Sequence, residues 1–192
     1  MARLAPVLHA GDLPLAELCS ARLDGEVVRI DDAFSPVDVR DGPAARAAAA
    51  SHGWSKRLIA EQRTAAWIWG ALPDPPARHQ LCTTTGARAR PAIPLRCVVR
   101  EVAIDTDEFA FVGALRVTRP VRTAVDLARF SARFAEAEAR VIRSLLALDG
   151  SGLDECRAAL DRRRNLPAKK LAWERLLEAA RADDPDYPEL TR

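Results

Sequence analysis

Asp105-Thr106-Asp107 is the pair of carboxylates in this sequence best spaced for chemistry. A D-x-D on a strand can hold a divalent cation for nucleotidyl transfer. That chemistry also needs a Gly-Ser upstream to position phosphates, and here Gly150-Ser151 and Ser151-Gly152 come only afterwards. With Glu108 next in line, the run reads more simply as an acidic turn between strands. His9, His52 and His79 stand beside no Cys, Asp or Glu at metal-ligand spacing, and neither H-E-x-x-H nor G-x-S-x-G occurs. The run at 83–90 has one glycine and is no phosphate loop. Cys19, Cys82, Cys97 and Cys156 show no C-x-x-C spacing and read as reduced thiols. No cofactor, no metal and no catalytic residue is therefore expected.

Charge distribution says more than the net charge of +2. Residues 12–42 carry eight acids against Arg22, Arg29 and Arg40, whereas residues 157–175 carry seven bases against Asp161 and Glu174. Two surfaces for two partners are implied. Arg162, Arg163, Arg164, Lys169 and Lys170 are the candidate nucleic-acid contacts, since each can neutralise one phosphate. A solvated face at two helix ends would look the same. Few aromatics interleave with them, so single-strand stacking is not indicated.

The elements that must position these residues follow from periodicity. Residues 12–24 read as a helix with Asp12 as N-cap and Leu15, Leu18 and Cys19 as its apolar face; 26–30 and 33–37 read as a hairpin around Asp31-Asp32. The hairpin carries Glu26, Asp31, Asp32 and Asp38 against Arg29, a surface that phosphate repels. An Ala-rich helix at 43–52, a short strand at 57–60 and a helix at 61–71 bearing Trp67 and Trp69 come next. Strands at 79–84, 95–104, 109–112 and 115–117 are separated by a loop at 86–94 and by Gly113. A helix at 119–130 follows, with Thr118 as N-cap, Pro120 in its first turn, and Val121, Ala124, Val125 and Ala128 on one stripe widened by Leu127, Phe130 and Phe134. Arg122 and Asp126 can pair along it. Helices at 135–148, 153–162 and 168–182 precede a polar tail. The class is α+β: a mixed middle and a helical C-terminus.

Residues 117–129, VTRPVRTAVDLAR, resemble the signature of the AbiEi-like antitoxins, the antitoxin half of type IV toxin–antitoxin systems. Residues 57–72, RLIAEQRTAAWIWGAL, resemble a second block of that family, in the right order and at a fitting distance. The resemblance spans roughly residues 12–180 and is to a short, actinobacterial-type form. Its motif residues here are Thr118, Pro120, Arg122, Thr123, Asp126, Trp67 and Trp69, with structural roles. It implies a DNA-binding transcriptional autoregulator that acts on its own promoter and opposes a nucleotidyltransferase-like toxin, and it implies no enzyme. The organisation expected is a partial winged-helix-like segment at 1–42, the antitoxin domain at 43–182, and a tail at 183–192. A full winged helix hardly fits in the first 42 residues, and a C-terminal nuclease-like domain of longer relatives has no room before Arg192.

Two other classes fit the residues: a metal-dependent phosphate enzyme using Asp105 and Asp107, and a protein-interaction module without DNA binding. No apolar run approaches the ~18 residues of a membrane span, and the N-terminus lacks a signal-peptide pattern. A cytoplasmic protein without membrane partners is expected.

Overall fold

The computed structural model describes residues 5–85, 93 and 95–181. The expected polar tail, and most of the loop at 86–94, lie outside the described residues. Within them the chain is α+β and runs α1 (Leu15–Leu23), β1 (Val27–Ile30), β2 (Ala33–Pro36), α2 (Pro43–Ala50), β3 (Ile59–Ala60), α3 (Gln62–Ile68), β4 (His79–Thr84), β5 (Cys97–Val102), β6 (Phe109–Val112), β7 (Leu115–Thr118), α4 (Pro120–Phe130), α5 (Glu136–Asp149), α6 (Leu153–Asp161) and α7 (Lys169–Arg181).

Helix α1 and the β1–β2 hairpin come first, as expected. Val27 pairs with Pro36 and Ile30 with Ala33, so Asp31 and Asp32 form a two-residue turn. Asp31 takes φ 54°, a left-handed conformation that Asp tolerates. The start of α1 differs from expectation. Pro14 is the N-cap, while the Asp12 carboxylate accepts the His9 N–H at 2.8 Å. Only Leu18 of the helix is buried; Leu15 and Cys19 are exposed.

The central sheet has the order β5-β4-β3-β7-β6. β3 is parallel to β7 and antiparallel to β4; β4 and β5 are parallel, β6 and β7 antiparallel. β3 is only two residues long, yet Ile59 and Ala60 are fully buried because it joins the sheet's two halves. Placing it at the centre puts the next residue, Glu61, inside the protein, 1% exposed.

Two apolar cores flank this sheet. One joins Leu58, Ala60, Trp67, Ile68 and Leu81 to α2 and the strands. The other gathers α4, α5, α6 and α7 around Val125, Leu127, Ile142, Leu145, Leu160 and Leu176. Burying each large aliphatic side chain stabilises by about 1.5–3 kcal/mol. α5 stops at Gly150, whose φ of 62° supplies the left-handed C-cap.

Helix α4 forms where the stripe at 119–130 predicts it, with Pro120 in its first turn. Thr118 does not cap it. Arg119 is the N-cap residue, and the Thr118 hydroxyl lies 2.7 Å from that of Thr123. Val121 is half-buried and Phe130 is 40% exposed, so the apolar stripe is narrower than its pattern suggests. The helix is nevertheless buried on every side from Arg122 to Arg129, its charged residues included. No described helix is long and apolar enough to cross a membrane.

Candidate functional site

The polar side of α4 builds the most unusual feature of the molecule. Arg122, Asp126 and Arg129 recur at i, i+4 and i+7, so one helical stripe carries alternating charges. Asp126 has no exposed surface. It accepts from Arg122 Nε and Arg129 Nη1 at 2.8 Å each, and from Arg100 Nη2 of β5 at 3.4 Å. Arg100 Nη2 also donates to Glu61 at 2.8 Å. Arg122 Nη1 donates to Glu108 at 2.7 Å, and Arg163 Nη2 donates to the other Glu108 oxygen at 2.6 Å. Arg129 Nε donates to the Pro167 carbonyl at 3.0 Å.

Charges this deeply buried are tolerated only when paired and hydrogen-bonded. Burial opposes ionisation of Arg122, but Asp126 and Glu108 outweigh it and raise its affinity for the proton. Arg129 goes the other way. Burial, reinforced by the nearby Arg122 and Arg100 charges and only partly offset by Asp126, pulls it below the usual guanidinium range. Burial also pushes the Glu108 carboxyl up; the Arg163 hydrogen bond, the Asp105 N–H and Arg122 together overcome that and hold it at about 2.

Glu108 comes from the acidic run that the sequence offered as a metal site. That run is a 3-10 turn over Thr106–Glu108, closed by the Glu108 side chain accepting the Asp105 N–H at 2.8 Å. Asp105 faces Arg163 at 3.0 Å and Asp107 faces Arg162 at 2.8 Å. Arg162 and Arg163, expected to reach phosphate, are thus held by acids of their own chain. Lys169 lies 2.7 Å from Asp161. Lys170 is 93% exposed and 4.0 Å from Glu174. Arg164 is exposed and pairs with no described residue.

The two tryptophan-containing and helix-capping blocks meet in space. Trp69 Nε1 donates to the Thr118 carbonyl at 2.8 Å. The Thr123 hydroxyl lies 3.0 Å from the Thr118 and Arg119 carbonyls, tying the first turn of α4 to the end of β7. Trp67 is 2% exposed and has Arg46 over its ring at 5.8 Å.

A second polar cluster lies at the hairpin turn. The Asp31 carboxylate, 5% exposed, meets His79 Nε2 of β4 at 2.8 Å. Asp32 pairs with Arg96 and Arg29. Of the four acids expected to repel DNA, Asp31 and Asp32 thus serve as contacts to the central sheet and to Arg96 just before β5. His9 and His52 stack at 4.1 Å, and all three histidines line one cavity of about 320 Å³. Burial, then the neighbouring His52, lowers the His9 pKa. Among the described residues no three His, Cys, Asp or Glu side chains are grouped to hold a metal ion. Burial pushes the Cys156 thiol up to about 12 and raises Cys82 and Cys97 as well; the described cysteines are unbridged.

Sequence reasoning missed Glu61, Arg100, Glu108 and Arg129 as partners. The i, i+4, i+7 spacing of Arg122, Asp126 and Arg129 was the available signal. Their distant partners left none.

No curated protein matches the chain. The crystal structure of the Rv2827c protein from Mycobacterium tuberculosis is similar over 91% of this chain and 72% of its own, at 16% identity and a TM-score of 0.47. Residues 58–148 match the AbiEi antitoxin C-terminal domain. That stretch contains β3, the first sequence block from its second residue onward, the whole of the second block and the whole of α4. Over residues 58–148 the chain is therefore similar to the AbiEi-like antitoxin family.

Proposed function

We propose that this protein is a non-enzymatic cytoplasmic antitoxin that represses its own promoter and opposes a separate, nucleotidyltransferase-like toxin. The match of residues 58–148 to the AbiEi antitoxin C-terminal domain carries this reading. In it, residues 43–182 are the antitoxin domain and residues 1–42 a partial winged-helix-like segment docked against it. Asp105 and Asp107, on which a metal-dependent enzyme would depend, each face an arginine at 3.0 Å or less, which favours the non-enzymatic reading.

DNA contact is assigned to the basic segment, with its weight moved within it. Arg162 and Arg163 are engaged with acids, so Arg164 and Lys170 are the cations most available to phosphate, with Lys169 behind them. The test has two arms. Co-expression with a nucleotidyltransferase-like toxin encoded beside this gene should restore growth, and failure to do so would remove the antitoxin reading. On its own promoter, Arg164→Ala with Lys170→Ala should weaken binding and flatten the log–log salt dependence by roughly two units. Unchanged affinity and slope would take the basic segment out of DNA recognition.

A further inference from the structure

The ion network of α4 is not sealed. Between β5, α4 and the segment linking α6 to α7 lies a cavity of about 340 Å³, lined by Arg100, Arg122, Arg129, Arg163, Phe130 and Asn165 among others. Each arginine turns part of its guanidinium to a carboxylate and keeps donors to spare. Arg122 uses Nε and Nη1, and Arg129 uses Nε and Nη1. Arg100 uses Nε and Nη2. Among the described residues nothing accepts from Nη2 of Arg122, Nη2 of Arg129 or Nη1 of Arg100, and none of these three nitrogens is sealed from solvent. Yet the Arg122 and Arg129 side chains are only 8% and 6% exposed, so what their free N–H groups face is the cavity.

Charge and rigidity agree with the donor geometry. Four guanidinium groups line the cavity, while the carboxylates that pair with them, Glu61, Asp126, Glu108 and Asp105, are not among its lining residues. The lining has one acid, Glu101, which is exposed and is not without a partner. Arg100 and Arg129 each stack on Phe130 with the guanidinium carbon 4.4 Å from the ring centroid, which fixes their planes before any ligand arrives. Spare donors on three separate arginines of one cavity suit a tetrahedral oxyanion better than a planar carboxylate, which one guanidinium fork would satisfy.

We infer that this cavity binds a terminal phosphate group, carried by inorganic phosphate or by a small phosphomonoester. A phosphodiester within a duplex lies on a stiff rod and does not reach donors this recessed. The site is independent of the antitoxin reading: it needs neither promoter nor toxin.

The experiment follows the arginine side-chain N–H resonances of the purified full chain during titration with inorganic phosphate, with a nucleoside monophosphate, and with a short duplex lacking terminal phosphates, all at matched ionic strength in chloride. Saturable shifts of the Arg122 and Arg129 resonances are expected with the first two ligands and not with the third. Ala103, exposed on the lining, offers a control outside the network. Ala103→Glu should raise the phosphate Kd at least about tenfold while leaving the melting temperature in chloride unchanged. Since phosphate also stabilises proteins by exclusion from their surface, loss of binding in this variant separates the site from that general effect. Should Ala103→Glu fold poorly, Asn165→Asp is the substitute, with the same loss expected. Absence of saturable shifts, or equal affinity in the substituted protein, would overturn the inference. So would a duplex without terminal phosphates that bound these arginines as tightly as the monophosphate.

Discussion

A carboxylate with no solvent exposure is costly unless its lone pairs are used, and Asp126 uses them on three guanidinium groups. Asp126→Ala therefore leaves Arg122 and Arg129 buried and undercompensated. It should cost about 3–5 kcal/mol in thermal or denaturant unfolding. Asp107→Ala is the matching control: its pair with Arg162 is exposed, at 63% and 42%, and should be worth less than about 1 kcal/mol. Similar losses from both would show that the network contributes no more than a surface pair. Glu108 makes the same point through pH. Its carboxyl sits at about 2 in the folded chain against an ordinary 4.5, so its proton is bound more tightly when the chain unfolds. Its stabilisation is present in full above pH ~4.5 and is lost as the pH falls towards ~2; the linkage is worth on the order of 3 kcal/mol at most. Glu108→Gln should be less stable than wild type at neutral pH and flatter below pH ~4.5, so the two curves should converge in acid. Parallel curves would remove Glu108 from the acid limb.

At the scale of elements, α4 was legible and its surroundings were not. Pro120, followed by apolar residues at i, i+3, i+4 and i+7, fixes both the helix and its inner face, because that spacing depends on nothing distant. Val125 is 2% exposed in the core shared by α4, α5 and α7, so Val125→Asp should unfold the chain or cost several kcal/mol by burying an unpaired charge. A melting temperature equal to wild type would mean that the stripe faces elsewhere. The opposite face misled, because Arg and Asp on a helix ordinarily point to solvent. Here they face Arg100 and Glu108, which in turn pair with Glu61 and Arg163; these partners lie 14 to 55 residues apart, and helical periodicity carries no information about such pairs. The same separation explains Thr118. A Thr two residues before Pro reads as a cap, but the antiparallel pairing of β7 with β6, with Thr118 opposite Phe109, extends the strand through it and its hydroxyl meets Thr123 instead.

At the scale of the whole molecule, the chain's acidic head was read as a surface set apart from its basic tail, but part of that charge is spent inside the protein. The hairpin turn reaches the edge of the central sheet: Asp31 meets His79 of β4, Asp32 meets Arg96 just before β5, and Leu8 joins the hairpin by a bridge to Phe34. Asp31 is 5% exposed and its Oδ1 lacks a hydrogen-bond partner among the described residues, although Arg96 lies 3.7 Å away, so the contact is close but incompletely satisfied. Charge reversal of Asp31 and Asp32 to Lys, which simple repulsion from phosphate would suggest as a gain in DNA binding, should instead place cations against Arg96 and break the docking. The milder Asp31→Asn keeps the size of the side chain and removes its charge. Hydrogen exchange should then show faster exchange of the β1–β2 amides, with α4 amides unchanged, because α4 is held by a different core. Equal acceleration in both places would mean that the hairpin and the α4 core open as one unit. Unchanged exchange throughout would mean that the Asp31–His79 contact does not hold the hairpin in place.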